Sequence, residues 1–599
     1  MTRSRAAGDG AIPRRRGPAD SAHVAADDLP IRRQIGFDRV LGGILRIGGW
    51  SSLVVVAAIC VLPIVVIVLG SFSEGNPFND FHASLEPWRR AAESSQTLSS
   101  IGYSFLLSLR VPLGLAISFV VAWYLARNDV IGKRAIMYTL WLAFFLPILP
   151  ATLGWILLLD PHYGILNAQL QNFLGIREPL FNIYSLGGIT WVHLTLSTIP
   201  IMVILIEPAQ RLIDSSYEEA ATMSGAGMLE TLRRITLPLI IPTLLIAFIA
   251  GLIRSLEAFE VEQLLGVPAR IFVYSTRVFN LLGFIPPDQP QSMALSTFFL
   301  VILSMLVICY HLLLRWARMT ATLTGKGARL LPRARTPLSY LISTLLFLMV
   351  VTTVLLPFAM VVLSSFSRLF GFFNLAHPLT TGHWSSVLQS DTFVSALRQS
   401  LYIGTTVAVI GTLLYLALGW FIARNSCPGK SAFSFAIWLP WAIPGVLLGT
   451  AFASIFLNVA TLRLAYGTGL ALVIVLLVQG VPFATHMLEA SISQIAGELE
   501  EAARMSGAGL LQTAMRITVP LIAPTIANVF VISFMTAMKD ISATVLVATP
   551  GTQTLPLLMF GYATSGRLED ASVVGVVTVL IAMAMAFVAT RIGHRAAVV

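Results

Sequence analysis

Residues 218–242 read EEAATMSGAGMLETLRRITLPLIIP, and residues 500–524 read EEAARMSGAGLLQTAMRITVPLIAP. This repeat is the strongest indication of how the fold is organised. The two copies align from end to end without a gap, so that one constant offset relates every residue of the first to its counterpart in the second. A shorter repeat pairs WYLARN at 123–128 with WFIARN at 420–425. Internal repetition on this scale predicts that the chain is built from two homologous halves.

The composition is that of a protein that crosses a membrane many times. Of 599 residues, 56% are hydrophobic and only 11% are charged, and the mean hydropathy is +0.81. A soluble domain of this size needs far more polar surface. The net charge of +10 does not indicate a nucleic-acid partner, because basic residues also mark the cytoplasmic loops of membrane proteins. Cys60, Cys309 and Cys427 lie far apart and give neither a disulfide framework nor a metal-ligand spacing.

Apolar stretches of about 20 residues, the length that crosses a bilayer, occur six times in each half. We predict an all-α polytopic membrane protein with about 12 transmembrane helices, arranged as two parallel six-helix repeats around an axis along the membrane normal. In the first half the predicted spans are 51–70, 103–126, 136–158, 184–206, 239–257 and 294–314. In the second half they are 339–364, 397–423, 433–457, 467–489, 521–543 and 571–590.

The distribution of basic residues predicts the orientation of the chain. With both termini in the cytoplasm, cytoplasmic segments hold 27 of the 39 lysines and arginines, whereas the opposite loops hold 8. The apolar run that follows the N-terminal tail is too long for a cleavable signal and indicates a retained helix. The predicted division is a cytoplasmic tail (1–49), a first repeat (50–316), a cytoplasmic linker (317–337), a second repeat (338–592) and a cytoplasmic C-terminal tail (593–599).

The repeated loop joins the fourth and fifth helices of each half and predicts two short helices with a bend between them. Ser216 and Glu219 have the spacing of a capping box, which starts a helix. Gly225 allows the backbone to turn, and Pro238 suits the start of the next span. Apolar residues of the second short helix could lie in a groove of a partner protein; they are Met228, Leu229 and Leu232, and in the second copy Met505, Leu510 and Leu511.

Both copies fit one template of Glu-Ala-Ala, three residues, Gly, nine residues, Ile, one residue, a hydrophobic residue and Pro. This resembles the EAA motif of permease subunits in bacterial ATP-binding-cassette (ABC) importers, and the resemblance extends to the six-helix layout of the type I permeases. The second copy differs only in having Val519 for Leu. The matching residues are Glu219, Ala220, Ala221, Gly225, Ile235 and Pro238, and Glu501, Ala502, Ala503, Gly507, Ile517 and Pro520.

The resemblance implies the partners. In this family the two loops insert into two copies of an ATPase subunit, so that Glu219 and Glu501 would be polar contacts and the glycines would be the bends. A separate periplasmic solute-binding protein would deliver the substrate, and the chain would lie in the bacterial inner membrane. The short outer loops agree, since none of them is large enough to be a receptor domain.

Nucleotide binding is not expected in this chain. A P-loop needs G-x-x-x-x-G-K-[ST], whose backbone amides surround the phosphates. Gly429-Lys430-Ser431 imitates its end, but position 424 is arginine. Gly325-Lys326 is followed by glycine. The chain is therefore predicted to be no enzyme and to hold no cofactor, with ATP and Mg²⁺ bound by the partner ATPase.

Five charged residues mark a candidate translocation path, since an ionisable group at bilayer depth is costly and is a functional candidate. They are Arg254, Glu257 and Glu260 after the first repeated loop, and Lys539 and Asp540 after the second. Glu257 and Lys539 occupy equivalent repeat positions, which suggests that they face one another near the axis and line or gate the path. In the alternative, Arg254 pairs with Glu257 locally and Lys539 extends outward.

Prolines occur at similar positions in the third helix of each half, Pro147 and Pro150 in one and Pro440 and Pro444 in the other. They predict either interrupted helices that line a cavity or packing kinks. His193 and His486 are interpreted as hydrogen-bonded core histidines with no convergent carboxylate, and no metal site is predicted.

The substrate is the least determined feature. Fusion of two halves, with Phe259-Glu260-Val261 before Gly266-Val267-Pro268 and with Lys539 to Ala543 after the second loop, looks most like ferric-iron permeases. Related importers carry 2-aminoethylphosphonate, thiamine, polyamines, or oxyanions such as sulfate and molybdate, and these remain alternatives. A 12-helix secondary transporter of the major-facilitator kind is a distant alternative, because Asp129-x-x-Gly132-Lys133-Arg134 imitates only part of that signature and the second half has no matching Asp.

Overall fold

The computed structural model describes residues 55–75, 78, 81–320, 337–373, 375–424 and 430–596. The predicted N-terminal tail, most of the linker, Cys427 and residues 597–599 of the predicted C-terminal tail lie outside this part of the chain. Within the described part the backbone is helical or lies in turns and short connections, and isolated bridges pair Ser73 with Ala83 and Ser367 with Leu379.

Twelve apolar helical segments follow one another along the chain, and we number them α1 to α12. In the first half α1 is Val55–Ser71, α2 is Ser95–Arg127, α3 is Lys133–Phe145 with Ile148–Leu159, α4 is Leu186–Arg211, α5 is Met228–Glu257 and α6 is Gln289–Thr320. In the second half α7 is Pro337–Ser365, α8 is Asp391–Arg424, α9 is Lys430–Ala442 with Gly445–Asn458, α10 is Gly469–Ser493, α11 is Leu511–Leu521 with Ala523–Lys539, and α12 is Leu568–Ala596.

The predicted fold class is confirmed. Eight of the described helices are long and apolar enough to cross a membrane, and the number rises to 11 when each of three bent pairs is taken as one span. Helix α1 is a shorter apolar helix over its described residues. Each of the 12 predicted stretches coincides with one of these helices, so the six-plus-six layout holds.

Short helices occupy the connections between the spans. Those in the first half are Glu86–Glu93, Ile165–Leu174, Ser215–Met223 and Tyr274–Leu282. Those in the second half are Gly382–Leu388, Ala460–Arg463, Gly497–Met505 and Leu555–Thr564.

Helices α3 and α9 are sharply broken at the prolines that suggested interruption. The two parts of α3 meet at 107° and those of α9 at 105°. Pro147 and Pro444 stand at the N-caps of the second parts with extended ψ angles of 139° and 147°, as expected where proline ends one helix and begins another. A third bend, of 76°, divides α11 at Ile522, although α5 passes the equivalent point as one span. That difference between the halves was not predicted.

The two halves interlock through the broken helices. A Cβ added at Gly154 in α3 would lie 1.9 Å from the carbonyl oxygen of Pro357 in α7, so the backbones of the two halves are in direct contact there. Tyr310 of α6 packs edge-on against Trp441 of the broken α9, with ring centroids 5.0 Å apart. One buried apolar cluster accordingly contains side chains from both halves.

Candidate functional site

The first EAA loop, residues 213–238, begins with the helix Ser215–Met223. Its N-cap is Asp214, whose side chain accepts a hydrogen bond from the backbone N–H of Ser216 at 3.0 Å. The predicted capping box of Ser216 and Glu219 is therefore wrong, because both residues lie inside the helix. A carboxylate two residues earlier satisfies the free amide instead.

The glycine of the motif ends this helix in both halves. Gly225 has φ +84°, and Gly507 in the second EAA loop, residues 495–520, has φ +83°. Beyond Gly225 the N–H of Ala226 donates to the Ala221 carbonyl at 3.0 Å, and Ala508 pairs with Ala503 in the same way. This is the Schellman arrangement, which requires a left-handed residue before its last donor and so explains the fixed Ala-to-Gly spacing.

The second short helix of the first loop runs directly into the membrane. Residues Met228–Glu257 form one helical span, so α5 begins well before the predicted residue 239. A π-helical turn, Leu232–Thr236, precedes Pro238, and Ala514–Thr518 precedes Pro520 in the second loop. Proline has no N–H to donate to the carbonyl four residues earlier, and its ring clashes with that carbonyl. A π turn changes the hydrogen-bond spacing before the proline, so the α-helical bond is no longer required there.

The surface of each loop helix presents the motif residues to the outside of the bundle. Glu219 and Ala220 are exposed and Ala221 is half-buried, as are their equivalents Glu501, Ala502 and Ala503. Large apolar side chains beside them are uncovered: Met223 is 89% exposed, Leu229 78%, Met505 89% and Leu511 65%. These residues form two equivalent exposed faces, and their binding to an ATPase stays a prediction.

Sequence reasoning missed the contact that holds the first loop to the bundle. Glu218, not Glu219, is buried, and its Oε1 accepts from Arg127 Nε at 3.1 Å and from Thr236 Oγ1 at 3.0 Å. Arg127 also donates to the carbonyl of Ile213 at 3.1 Å. One carboxylate oxygen thus joins the end of α2, the loop helix and α5.

The second half repeats this contact. Oε1 of Glu500 accepts from Arg424 Nε at 3.0 Å and from Thr518 Oγ1 at 3.1 Å, and Arg424 donates to the Ile495 carbonyl at 3.2 Å. The signal in the sequence was the shared arginine of WYLARN and WFIARN. It recurs at the C-terminal end of the second helix of each half, and each half also has a loop with a repeated pair of glutamates.

The candidate path residues come together differently from the prediction. Glu257 accepts from Arg254 at 3.3 Å within its own helix. Lys539 instead crosses to the first half, where its Nζ donates to the carbonyl oxygen of Phe144 at 3.1 Å and lies 5.3 Å from that ring's centroid. The structure therefore does not pair Glu257 with Lys539. The local Arg254–Glu257 alternative is present, but Lys539 turns inward.

A small cavity lies where Lys539 meets the break in α3. Its lining joins the two halves and consists of Pro147, Ile148, Leu149, Glu260, Lys539, Ile541, Pro556, Met559 and Thr578. Two of the predicted path residues, Glu260 and Lys539, thus share one cavity with the proline that interrupts α3. An interrupted helix beside a cavity is the arrangement in which free backbone groups remain acceptable at membrane depth.

Asp540 has a different environment. Its Oδ2 accepts from Gln479 Nε2 at 3.2 Å, and its Oδ1 accepts from the backbone N–H of Ala543 at 3.1 Å. The side chain is buried in the second half and fixes the turn that follows α11.

A buried charged cluster in the first half was not predicted. Nη1 of Arg110 donates to Glu262 Oε1 at 3.1 Å, with both side chains only 1% exposed. Nε2 of His193 lies 2.9 Å from the same oxygen. The expectation that His193 has no convergent carboxylate is therefore wrong, because the chain beyond α5 folds back to bring Glu262 to it.

His486 also meets a carboxylate. Its Nδ1 lies 2.6 Å from Glu489 Oε2, and its ring stacks on Trp438 with centroids 4.5 Å apart. Among the described residues no three His, Cys, Asp or Glu side chains are grouped so that they could hold a metal ion.

Comparison with known proteins agrees with this architecture. The family described as "Binding-protein-dependent transport system inner membrane component" matches residues 114–321 and again residues 415–596. A ferric transport system permease protein of Actinobacillus pleuropneumoniae is 24% identical over 89% of this chain and 76% of its own length. A probable sulfate transport system permease protein of Helicosporidium sp. subsp. Simulium jonesii is 26% identical over 34% of this chain and 78% of its own length. A crystal structure of a bacterial ABC transporter involved in alginate import aligns over 47% of this chain and 100% of its own chain, with 19% identity and a TM-score of 0.38.

Proposed function

This chain belongs to the family of binding-protein-dependent transport system inner membrane components and is an ABC importer permease, and we propose that its two halves form the whole membrane path of that importer. Two copies of a separate ATPase subunit would dock on the two EAA loops, bind ATP with Mg²⁺ and drive the transport. The family match removes the secondary-transporter alternative.

The observation that carries this proposal is the pair of equivalent exposed loop faces. Each face combines an accessible glutamate, Glu219 or Glu501, with a methionine and a leucine that the rest of the chain leaves uncovered. Exposed apolar patches edged by polar residues are typical of protein-binding sites. The constant offset of the repeat holds for every member of the two faces, which suits two identical partners.

The orientation follows from the docking. ATP is available in the cytoplasm, so the EAA loops and both termini would lie on that side of the bacterial inner membrane, in agreement with the basic residues. The opposite face would receive a periplasmic solute-binding protein. Path residues there would be Arg254, Glu257, Glu260, Lys539 and Asp540, of which Glu260 and Lys539 reach the cavity at the break of α3.

Ferric iron is the proposed substrate. Support comes from the ferric transport relative, whose similarity extends over 89% of this chain and so through both halves. 2-Aminoethylphosphonate, thiamine, a polyamine or an oxyanion are the alternatives, and the sulfate permease relative supports the last of these over 34% of the chain. Iron would arrive bound to the solute-binding protein and would pass as substrate.

Native mass spectrometry of the tagged chain, solubilised mildly from its own membranes, tests the docking. We expect one copy of the chain with two copies of an ATPase. The double variant Gly225→Pro with Gly507→Pro should lose the ATPase, because proline cannot adopt the positive φ of either glycine. Absence of ATPase from the wild-type chain would contradict the proposal.

Uptake by a deletion strain tests the substrate separately. Radiolabelled ferric iron, sulfate, thiamine and putrescine should be compared with and without the gene on a plasmid. Loss of iron uptake alone, restored by the plasmid, is expected. Loss of sulfate uptake alone would replace iron by the oxyanion while leaving the docking proposal intact.

A further inference from the structure

In each EAA loop, one carboxylate oxygen of the inward-facing glutamate is hydrogen-bonded to two membrane helices. In the first half, Oε1 of Glu218 receives hydrogen bonds from both Arg127 and Thr236. These donors stand at the end of α2 and near the start of α5, on either side of the loop helix. A charge-assisted bond of this kind is short and directional, and burial leaves no water to replace it.

The same geometry occurs in the second half. Glu500 receives bonds of 3.0 and 3.1 Å from Arg424 and Thr518, where Glu218 receives bonds of 3.1 and 3.0 Å. The arginine side chains are 4% and 20% exposed, and the glutamates 10% and 12%. Two separate parts of one chain thus keep the same three-element contact, although their helices differ nearby in the bend at Ile522.

The two neighbouring glutamates of each loop point in opposite directions. Glu218 and Glu500 face the bundle, whereas Glu219 and Glu501 face outward. The loop helix therefore cannot shift relative to α2 or α8 without breaking the inner contact. Any movement imposed on the outer face must either break that contact or carry the membrane helices with it.

We propose that Glu218 and Glu500, each held by its arginine and threonine, are positioning residues that pass the displacement of an EAA-loop helix to α2 and α5, and to α8 and α11. The inference rests on the proposed function, because the docked ATPase supplies the displacement. The inner glutamates are required for the response of the bundle and not for binding of the ATPase.

The test measures movement at the far side of the bundle, and it needs no transported substrate. Phe284→Cys and Ser565→Cys, both exposed and both between the fifth and sixth helices of their halves, carry spin labels in a Cys309→Ser, Cys427→Ser background. The full complex with its ATPase is placed in nanodiscs. Distances are measured without nucleotide and after trapping with ATP and vanadate, and we expect the distance in the otherwise wild-type complex to change on trapping.

The double variant Glu218→Ala with Glu500→Ala should bind the ATPase like wild type. It should show about tenfold fewer molecules at the trapped distance, a typical size for coupling between two sites. The pair Thr236→Val and Thr518→Val keeps the side-chain shape and removes one bond to each carboxylate, so it should insert normally and give a smaller loss in the same direction. Glu230→Ala, which breaks only the exposed pair with Arg234 in the first loop, should keep the full response.

Three outcomes would overturn the inference. An unchanged distance response in the glutamate and threonine variants would make the contact a static one. Loss of ATPase binding in the glutamate variant would make these residues part of the docking contact. An equal loss in Glu230→Ala would assign the effect to the loop as a whole. Failure of the wild-type chain to bind an ATPase would instead contradict the proposed function, and that binding is measured first on the same sample.

Discussion

The EAA-loop attachments of the two halves are alike, whereas the buried polar groups further along their helices are not. The arginine–glutamate–threonine contacts of both EAA loops have donor–acceptor distances of 3.0 and 3.1 Å. By contrast, the positions in the second half that are equivalent to Arg110, His193 and Glu262 hold apolar or hydroxyl residues. The offset between WYLARN and WFIARN places Val407 at the position of Arg110, and the offset between the two EAA loops places Val475 and Thr544 at the positions of His193 and Glu262.

One extra residue accompanies this difference. From the N-cap to the following proline, α4 is one residue longer than α10: Pro200 lies 15 positions after Ser185, whereas Pro482 lies 14 positions after Thr468. The additional residue of α4 therefore falls between Ser185 and Pro200, where the π-helical turn Leu194–Thr198 directly follows His193. A single inserted residue is a usual origin of a π turn, and such turns are frequent at functional sites.

Two-fold symmetry is therefore kept at the EAA-loop attachments and lost at the buried charged cluster. The loops would face two copies of one partner, so both must offer the same geometry. The opposite side of the path would meet a single substrate and a single delivering protein, so fusion into one chain would let its two sides diverge.

The largest expected effect tests the difference between the halves at the buried charged cluster. Glu262→Ala leaves Arg110 and His193 buried beside each other without their carboxylate, and should lower the free energy of unfolding by about 3–5 kcal/mol. Unfolding by sodium dodecyl sulfate in mixed micelles measures this. The matched variant in the second half, Thr544→Ala, should cost less than about 1 kcal/mol. Equal losses would remove the difference between the halves.

The next effect tests the likeness of the two EAA-loop attachments. Arg127→Met should cost about 3 kcal/mol and Arg424→Met roughly 1 kcal/mol less, because each leaves a glutamate unpaired and water reaches Arg424 more easily. The same titration measures both variants. A several-fold larger gap between them would show that the two loop attachments are not equivalent.

A smaller effect separates two residues at equivalent positions. Lys539→Met removes a charged bond to the Phe144 carbonyl of the other half and should cost about 1.5–3 kcal/mol. Glu257→Gln affects a pair with the 71%-exposed Arg254 and should cost at most about 1 kcal/mol. Thermal unfolding in nanodiscs compares them, and a larger loss for Glu257→Gln would reverse the assignment of the contact between the halves.

The smallest expected effect tests whether the positive-φ glycines of the two EAA loops are equivalent. Gly225→Ala and Gly507→Ala should each cost about 1 kcal/mol, because both residues have positive φ. An added Cβ would meet no further residue within 4 Å, so backbone strain is the whole cost. Gly227→Ala, at φ −73°, is the control and should be close to neutral. Unequal effects of the two positive-φ variants would break the likeness of the loops.

The sequence was sufficient for the features that depend on local pattern. Apolar length predicted the helices, and the repeat predicted the two halves and the exposed motif residues. The prolines of α3 and α9 predicted either interrupted helices or packing kinks, and the structure shows interrupted helices. Each of these features is determined within a single span or loop, where period and composition are informative.

The contacts between distant segments could not be predicted in the same way. The helix Ser215–Met223 has few apolar residues, so no periodicity tells which of Glu218 and Glu219 faces inward. That choice is made by Arg127, 91 residues earlier. Likewise, Glu257 and Lys539 are equivalent, but residues related by a two-fold axis meet only if they lie beside it. Lys539 instead donates to a backbone carbonyl. Every residue has such a carbonyl, so the sequence does not indicate which one accepts the bond.

The close contact of Gly154 with the Pro357 carbonyl has a consequence for biogenesis. Most side chains of the second part of α3 are buried, partly against α7 of the second half. A ribosome that has completed only the first half has therefore made a helix whose covering surface does not yet exist. The first half should be short-lived when expressed alone, and co-expression of the second half as a separate chain should protect it from proteolysis. Translation order, and not only the finished fold, thus sets when this protein becomes stable.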